Sequence, residues 1–97
     1  EIKAFSSSGP ASFGPTEKWD WLYFVDCRDS DNNIFKIYEI KLSNNSEIWQ
    51  AIMVNSTTTF RDQALQGRRP RILFSSVQQQ LGPHCIMVFD GHIDELS

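Results

Sequence analysis

No apolar run in the chain approaches 18 residues, so no segment is read as a membrane-spanning helix. No basic-then-apolar stretch opens it in the manner of a secretory signal either. Cysteine is scarce. Cys27 and Cys85 have no ligand partners at zinc spacing beyond His84 next to Cys85, which argues against a four-ligand metal site. Both are expected to be reduced, mostly buried thiols of a cytoplasmic protein. His84 and His92 stand alone and are expected on the surface or in turns. A Gly-x-Ser-x-Gly elbow is missing, and so is a Gly-x-x-x-x-Gly-Lys-Ser/Thr loop, which argues against serine hydrolysis and nucleotide hydrolysis of those kinds. Positive charge is not in excess. A net charge of −3 argues against binding a polyanion over the whole surface but leaves room for a local basic patch.

What is present suits one small domain spanning 1–97. Hydrophobic residues make up 40% and charged residues 22%, ordinary proportions for a globular chain of 97 residues. A chain of this size buries roughly 60–65% of its unfolded surface, enough for one core without disulfides. The first residue is Glu rather than Met and sits directly in an alternating apolar stretch. The domain is therefore expected to begin upstream, with this chain as its C-terminal part.

Local signals place the elements. Residues 1–5 read as the end of a strand running into a loop, 6–15, rich in Ser, Gly and Pro. Phe5 and Phe13 give that loop anchors. The aromatic and β-branched stretch 19–25 (WDWLYFV) and the stretch 34–42 (IFKIYEIKL) read as a hairpin around the polar turn 26–33. A helix is expected over 47–54, and another over 61–66 capped by Thr59 and closed by Gly67. A short extended piece at 71–74 precedes a helix over 76–81 capped by Ser75. The continuous apolar run 85–89 (CIMVF) suits a buried strand, and 91–97 a turn and tail. Trp19, Trp21, Phe24, Tyr38 and Trp49 are expected in the core. The sum is a mixed α/β fold, a mixed sheet flanked by helices.

The residues able to carry chemistry begin with Glu1-Ile2-Lys3. On a strand, positions i and i+2 project from one face, so a carboxylate and an ammonium lie side by side. A phosphodiester-cleaving site needs that combination: oxygen ligands for a hard divalent cation, and a lysine to orient water or to stabilise developing charge. The same tripeptide recurs as Glu39-Ile40-Lys41, with Asp26 a metal-ligand spacing upstream, so Asp26, Glu39 and Lys41 form an alternative set. Spacing favours the second copy and context favours the first. Ser6, Ser7 and Ser8 follow Lys3 with small hydroxyls and open backbone amides suited to a phosphate backbone, and Lys18 adds a cation beyond the loop. Arg68, Arg69 and Arg71 are the one concentrated positive patch, suited to phosphate or to guanine edges.

These segments, EIKAFSSSGPASFGPTEKWDWLYFVD, FKIYEIKLSN and DQALQGRRPRI, resemble the catalytic half of type II restriction endonucleases of the PD-(D/E)xK superfamily over about residues 1–74. The resemblance implies a mixed sheet flanked by helices, Mg2+ as cofactor and duplex DNA as substrate, usually cut by a homodimer. Glu1 and Lys3 then match the (D/E)xK pair, with Glu1 and the Ile2 carbonyl on the metal and Lys3 at the attacking water. The first metal-binding Asp is expected upstream of Glu1. Two other readings stay open: a non-catalytic DNA-binding or dimerisation module using 68–71, and a domain that binds a protein partner through the hairpin.

Overall fold

The computed structural model describes residues 1–14 and 16–96, so the loop expectation at Pro15 and the tail expectation at Ser97 lie outside the described residues. The principal sheet is mixed. Strand β1 (Ile2–Phe5) runs parallel to β3 (Leu22–Asp26), which pairs antiparallel with β4 (Ile34–Ile40), which pairs antiparallel with β6 (Cys85–His92). A separate ribbon joins β2 (Ala11–Ser12) to β5 (Arg71–Ile72). The helices are α1 (Glu47–Gln50), α2 (Phe60–Leu65) and α3 (Phe74–Leu81). The mixed α/β architecture is the one expected from the sequence.

Strand alternation decides which side is covered. The register pairs Leu22 with Ile40 and Phe24 with Tyr38, and all four are buried. Onto this face α3 lays Phe74, Val77 and Leu81, spaced as one helical stripe. The Phe74 ring packs 5.2 Å from Phe5, 4.9 Å from Phe24 and 4.6 Å from Tyr38. The other half of the core is built on Phe13, fully buried among Trp19, Phe24, Trp49 and Phe60 at centroid distances of 5.5, 6.4, 5.4 and 5.9 Å. The opposite side of the sheet carries Ile2, Tyr23, Val25, Ile37, Val88 and Phe89 around a shallow apolar concavity, with no described helix over it.

Several local expectations change. The helix expected over 47–54 stops at Gln50, because the following chain is taken up elsewhere. Met53 bridges Thr59, and the Gln80 carboxamide accepts from the Met53 N–H at 2.8 Å and donates to its carbonyl at 3.0 Å. Helix α2 forms as expected on a capping box. The Thr59 hydroxyl accepts from the Asp62 N–H at 3.2 Å, while the Asp62 carboxylate accepts from the Thr59 N–H at 2.9 Å. Gly67 follows with a φ of 71°, a backbone that a Cβ disfavours. Helix α3 starts at Phe74 with no side-chain cap rather than behind Ser75, since burying Phe74 outweighs a capping hydroxyl.

The run 85–89 is a strand, but not a buried one. It belongs to an edge strand, so Ile86, Met87 and Val88 are about half exposed, Met87 even though it pairs with buried Tyr38 on the covered face. Cys27 and Cys85, expected to be mostly buried, are partly buried. Trp21 also leaves the core, at 48% exposure, because it sits one position before buried Leu22 and so on the other side of the chain. Lys41 covers its ring at 5.0 Å.

Candidate active site

Lys3 lies on the covered side of β1, opposite Phe24 in the parallel register. Its ammonium is the hub of an ionic chain. Nζ sits 3.0 Å from Glu1 Oε2 and donates to both Glu17 oxygens, at 3.3 and 3.1 Å. It also stands 4.8 Å from the centroid of the Phe13 ring. Arg69 extends the chain, 3.9 Å from Glu17 and donating from Nε to the Ser12 hydroxyl at 3.4 Å. Only 16% of the Lys3 side chain is exposed, against 27% for Glu17 and 30% for Glu1. A long, flexible cation is thus confined on an aromatic floor between two carboxylates. Glu17 also lines a cleft of about 400 Å³ of mixed character, with Asn44, Gln50 and Arg61 on its polar side and Phe60, Ala64 and Leu65 on its apolar side.

Glu1 and Lys3 therefore meet, as the strand alternation predicts. The Glu1 and Phe5 carbonyls accept from Tyr23 and Cys27 of the neighbouring strand, so the intervening Ile2 carbonyl faces the outer edge of the sheet. A partly exposed carboxylate and an edge carbonyl are hard oxygen donors, which suit magnesium. Two such donors would make only part of a shell, and no group of three or more acidic, His or Cys side chains able to hold an ion occurs among the described residues.

The alternative set does not converge. Asp26 pairs with Lys36 in register, on the covered face, whereas Glu39 pairs with Tyr23 on the open face. The Asp26 carboxylate is instead held by Arg28, at 2.9 Å from Nε and 2.7 Å from Nη2. That guanidinium keeps the Asp26 carboxyl below its ordinary range despite burial, and Asp26 in turn raises Arg28. Glu39 accepts from the Tyr23 hydroxyl at 2.9 Å and lies 3.7 Å from Lys41. The Glu39 hydrogen bond is the main reason the Tyr23 phenol is raised above its ordinary value, helped by partial burial and the nearby negative charge.

The residues expected to contact DNA divide between two places. Ser6, Ser7 and Ser8 are exposed beyond the far end of β1. Ser7 and Ser8 there line a small cleft with Arg28, Tyr38 and Ser75, away from the lysine hub. Arg69 joins the hub itself, while Lys18, Arg68 and Arg71 are exposed to solvent. Glu17 and Arg28 were not picked out from sequence. Glu17 reaches Lys3 through a folded loop, so no spacing rule could have flagged it. Arg28 is two residues past Asp26, a weak signal on its own.

The comparison with known families decides the membership. A family model described as Bsp6I restriction endonuclease matches residues 1–81, the whole of the hub included. The chain belongs to the Bsp6I restriction endonuclease family. The type II restriction enzyme Bsp6I of Bacillus sp. (strain RFL6) is 43% identical over 60 residues, covering 62% of this chain and 33% of the relative. The chain thus spans about a third of the length of that relative. No solved structure matches it. No helix among the described residues is long and apolar enough to cross a membrane.

Proposed function

We propose that this family member is a magnesium-dependent endonuclease that hydrolyses phosphodiester bonds of duplex DNA in the manner of a type II restriction enzyme. The observation that carries the reading is the Lys3 ammonium, held at 3.0–3.3 Å from the carboxylates of Glu1 and Glu17 within the segment that the family model matches. The Glu1 carboxylate and the Ile2 carbonyl would hold magnesium together with further ligands from outside this set, and the bound ion would supply charge neutralisation at the scissile phosphate. Lys3 orients the water whose oxygen attacks phosphorus, and stabilises negative charge as the bond to the sugar oxygen breaks. Arg68, Arg71 and Lys18 hold the DNA backbone, with Ser6, Ser7 and Ser8 donating to phosphates further along. Arg69 divides its charge between DNA and Glu17. The enzyme acts in the cytoplasm as a homodimer, and sedimentation of the full-length protein tests the dimer.

The test is cleavage of duplex DNA by the full-length protein, wild type against Lys3→Ala. Removing a residue that serves the attacking water costs on the order of 10²–10⁴ in rate, and binding should persist. Cutting that survives Lys3→Ala but is lost in Glu39→Ala and Lys41→Ala would move the site to the second tripeptide. Binding with no cutting under any divalent cation would favour the non-catalytic module built on 68–71.

A further inference from the structure

The geometry points to Glu17 as the positioning residue for Lys3, an inference that rests on the reading of Lys3 as the reacting amine. A lysine has four rotatable side-chain bonds and three equivalent donors, so a strand position alone does not fix its ammonium. Glu1, two residues away on the same strand, supplies one contact. Glu17 arrives from a separate segment and offers both of its oxygens, at 3.1 and 3.3 Å, so that it sets the direction of approach.

The segment is shaped for that task. The Glu17 N–H bonds the Gly14 carbonyl at 3.2 Å, closing a turn that aims the side chain back at β1. Phe13, just before the turn, is buried as the floor beneath the ammonium, and its own N–H is tied to the Pro70 carbonyl at 2.9 Å. Gly14 leaves the room required: a Cβ there would lie 3.3 Å from Glu17 Cγ and 3.1 Å from Arg69 Nη1. Arg69 in turn lies 3.9 Å from Glu17 and donates to the Ser12 hydroxyl. Partly exposed ion pairs of this kind add little to stability. Two carboxylates that converge on one amine, one of them flanked in turn by Arg69, are better accounted for by the placement of that amine.

A misplacement of about 1 Å can cost a reacting group on the order of 100-fold in rate. Glu17→Gln in the full-length protein is therefore expected to slow single-turnover cutting about 10–100-fold. DNA affinity should not fall, since Arg69 is released toward DNA, and the magnesium concentration for half-maximal rate and the unfolding midpoint should stay at wild-type values. Glu17→Asp, which keeps the charge, should recover part of the rate. In a Lys3→Ala background Glu17→Gln should add no further loss, because both changes act through one group. Glu47→Gln, which removes the exposed partner of Arg61, serves as the matched control.

The inference is overturned if Glu17→Gln cuts at the wild-type rate while Lys3→Ala does not. It is equally overturned if the loss adds to that of Lys3→Ala, or appears as weaker DNA binding. A shift in the magnesium requirement would make Glu17 a ligand instead. Normal cutting by Lys3→Ala would sink the assignment of Lys3 itself, a result distinguishable from all of these.

Discussion

Replacing Phe13 by Leu tests the idea that one buried ring supports both the core and the reactive lysine. The ring is fully buried and meets Phe24, Trp49 and Phe60 edge-on, at interplanar angles of 67°, 64° and 74°. Such pairs contribute about 0.5–1.5 kcal/mol each beyond buried area, so at the low end three of them give about 1.5 kcal/mol. The space left by the smaller side chain adds about 1 kcal/mol. A total of about 2–3 kcal/mol, with a urea slope of about 1–3 kcal/mol per molar, moves the unfolding midpoint down by roughly 0.7–3 M. Tryptophan emission is a suitable signal, since Trp19 and Trp49 lie 5.5 and 5.4 Å from the ring. Where the variant remains folded, loss of the aromatic face under Lys3 should slow cutting by about 2–5-fold, as expected from a cation–π contact of about 0.5–1 kcal/mol. A midpoint that moves by less than about 0.3 M with an unchanged slope would refute the packing argument. A wild-type cutting rate in the folded variant would refute the link to Lys3.

Two more expectations join those given for Lys3 and Glu17. Asp26→Asn should lower the thermal midpoint near neutral pH by weakening the hold on Arg28. Because Arg28 keeps the carboxyl below its ordinary 3.8, the stabilisation is complete above that value and is lost as pH falls through the lowered one. The gap between variant and wild type should therefore close in acid, and a pH-independent gap would contradict the cause given. Thr59→Ala should cost about 1 kcal/mol through loss of the capping box at α2, read as a lower urea midpoint, while Arg61→Ala on the same helix should cost less.

The parts of this molecule that were legible in the sequence are those set by short-range rules. Alternation put Glu1 and Lys3 on one face, Thr59 announced its helix, and the two aromatic stretches paired as a hairpin. Spacing alone made Asp26, Glu39 and Lys41 an alternative set, because spacing does not reveal register. Asn33 takes a left-handed turn, with a φ of 58°, and the resulting register seats Asp26 opposite Lys36. A slip of one residue would have placed Asp26 and Glu39 on a common face. The run 85–89 misled for a related reason: composition cannot tell an apolar strand in the middle of a sheet from one at its edge. Glu17 was invisible because its partnership with Lys3 depends on where Gly14 turns the chain and on the Phe13 anchor, neither of which has a periodic signature.

The two sides of the sheet should also respond to added salt in opposite directions. Simple electrolytes largely screen exposed charges more than about 10 Å apart at 0.1 M and closer pairs as the concentration rises, so sodium chloride at higher concentration loosens the partly exposed relay from Glu1 to Arg69. Sulfate and other ions excluded from protein surfaces strengthen contact between apolar groups, and they act on the bare side that carries Ile2, Val25, Ile37 and Val88. A buffer chosen to keep this polypeptide dispersed is thus low in sulfate, whereas one chosen to preserve the charged relay is low in total ionic strength. Purification and assay conditions have to satisfy both, and ammonium sulfate offends on each count.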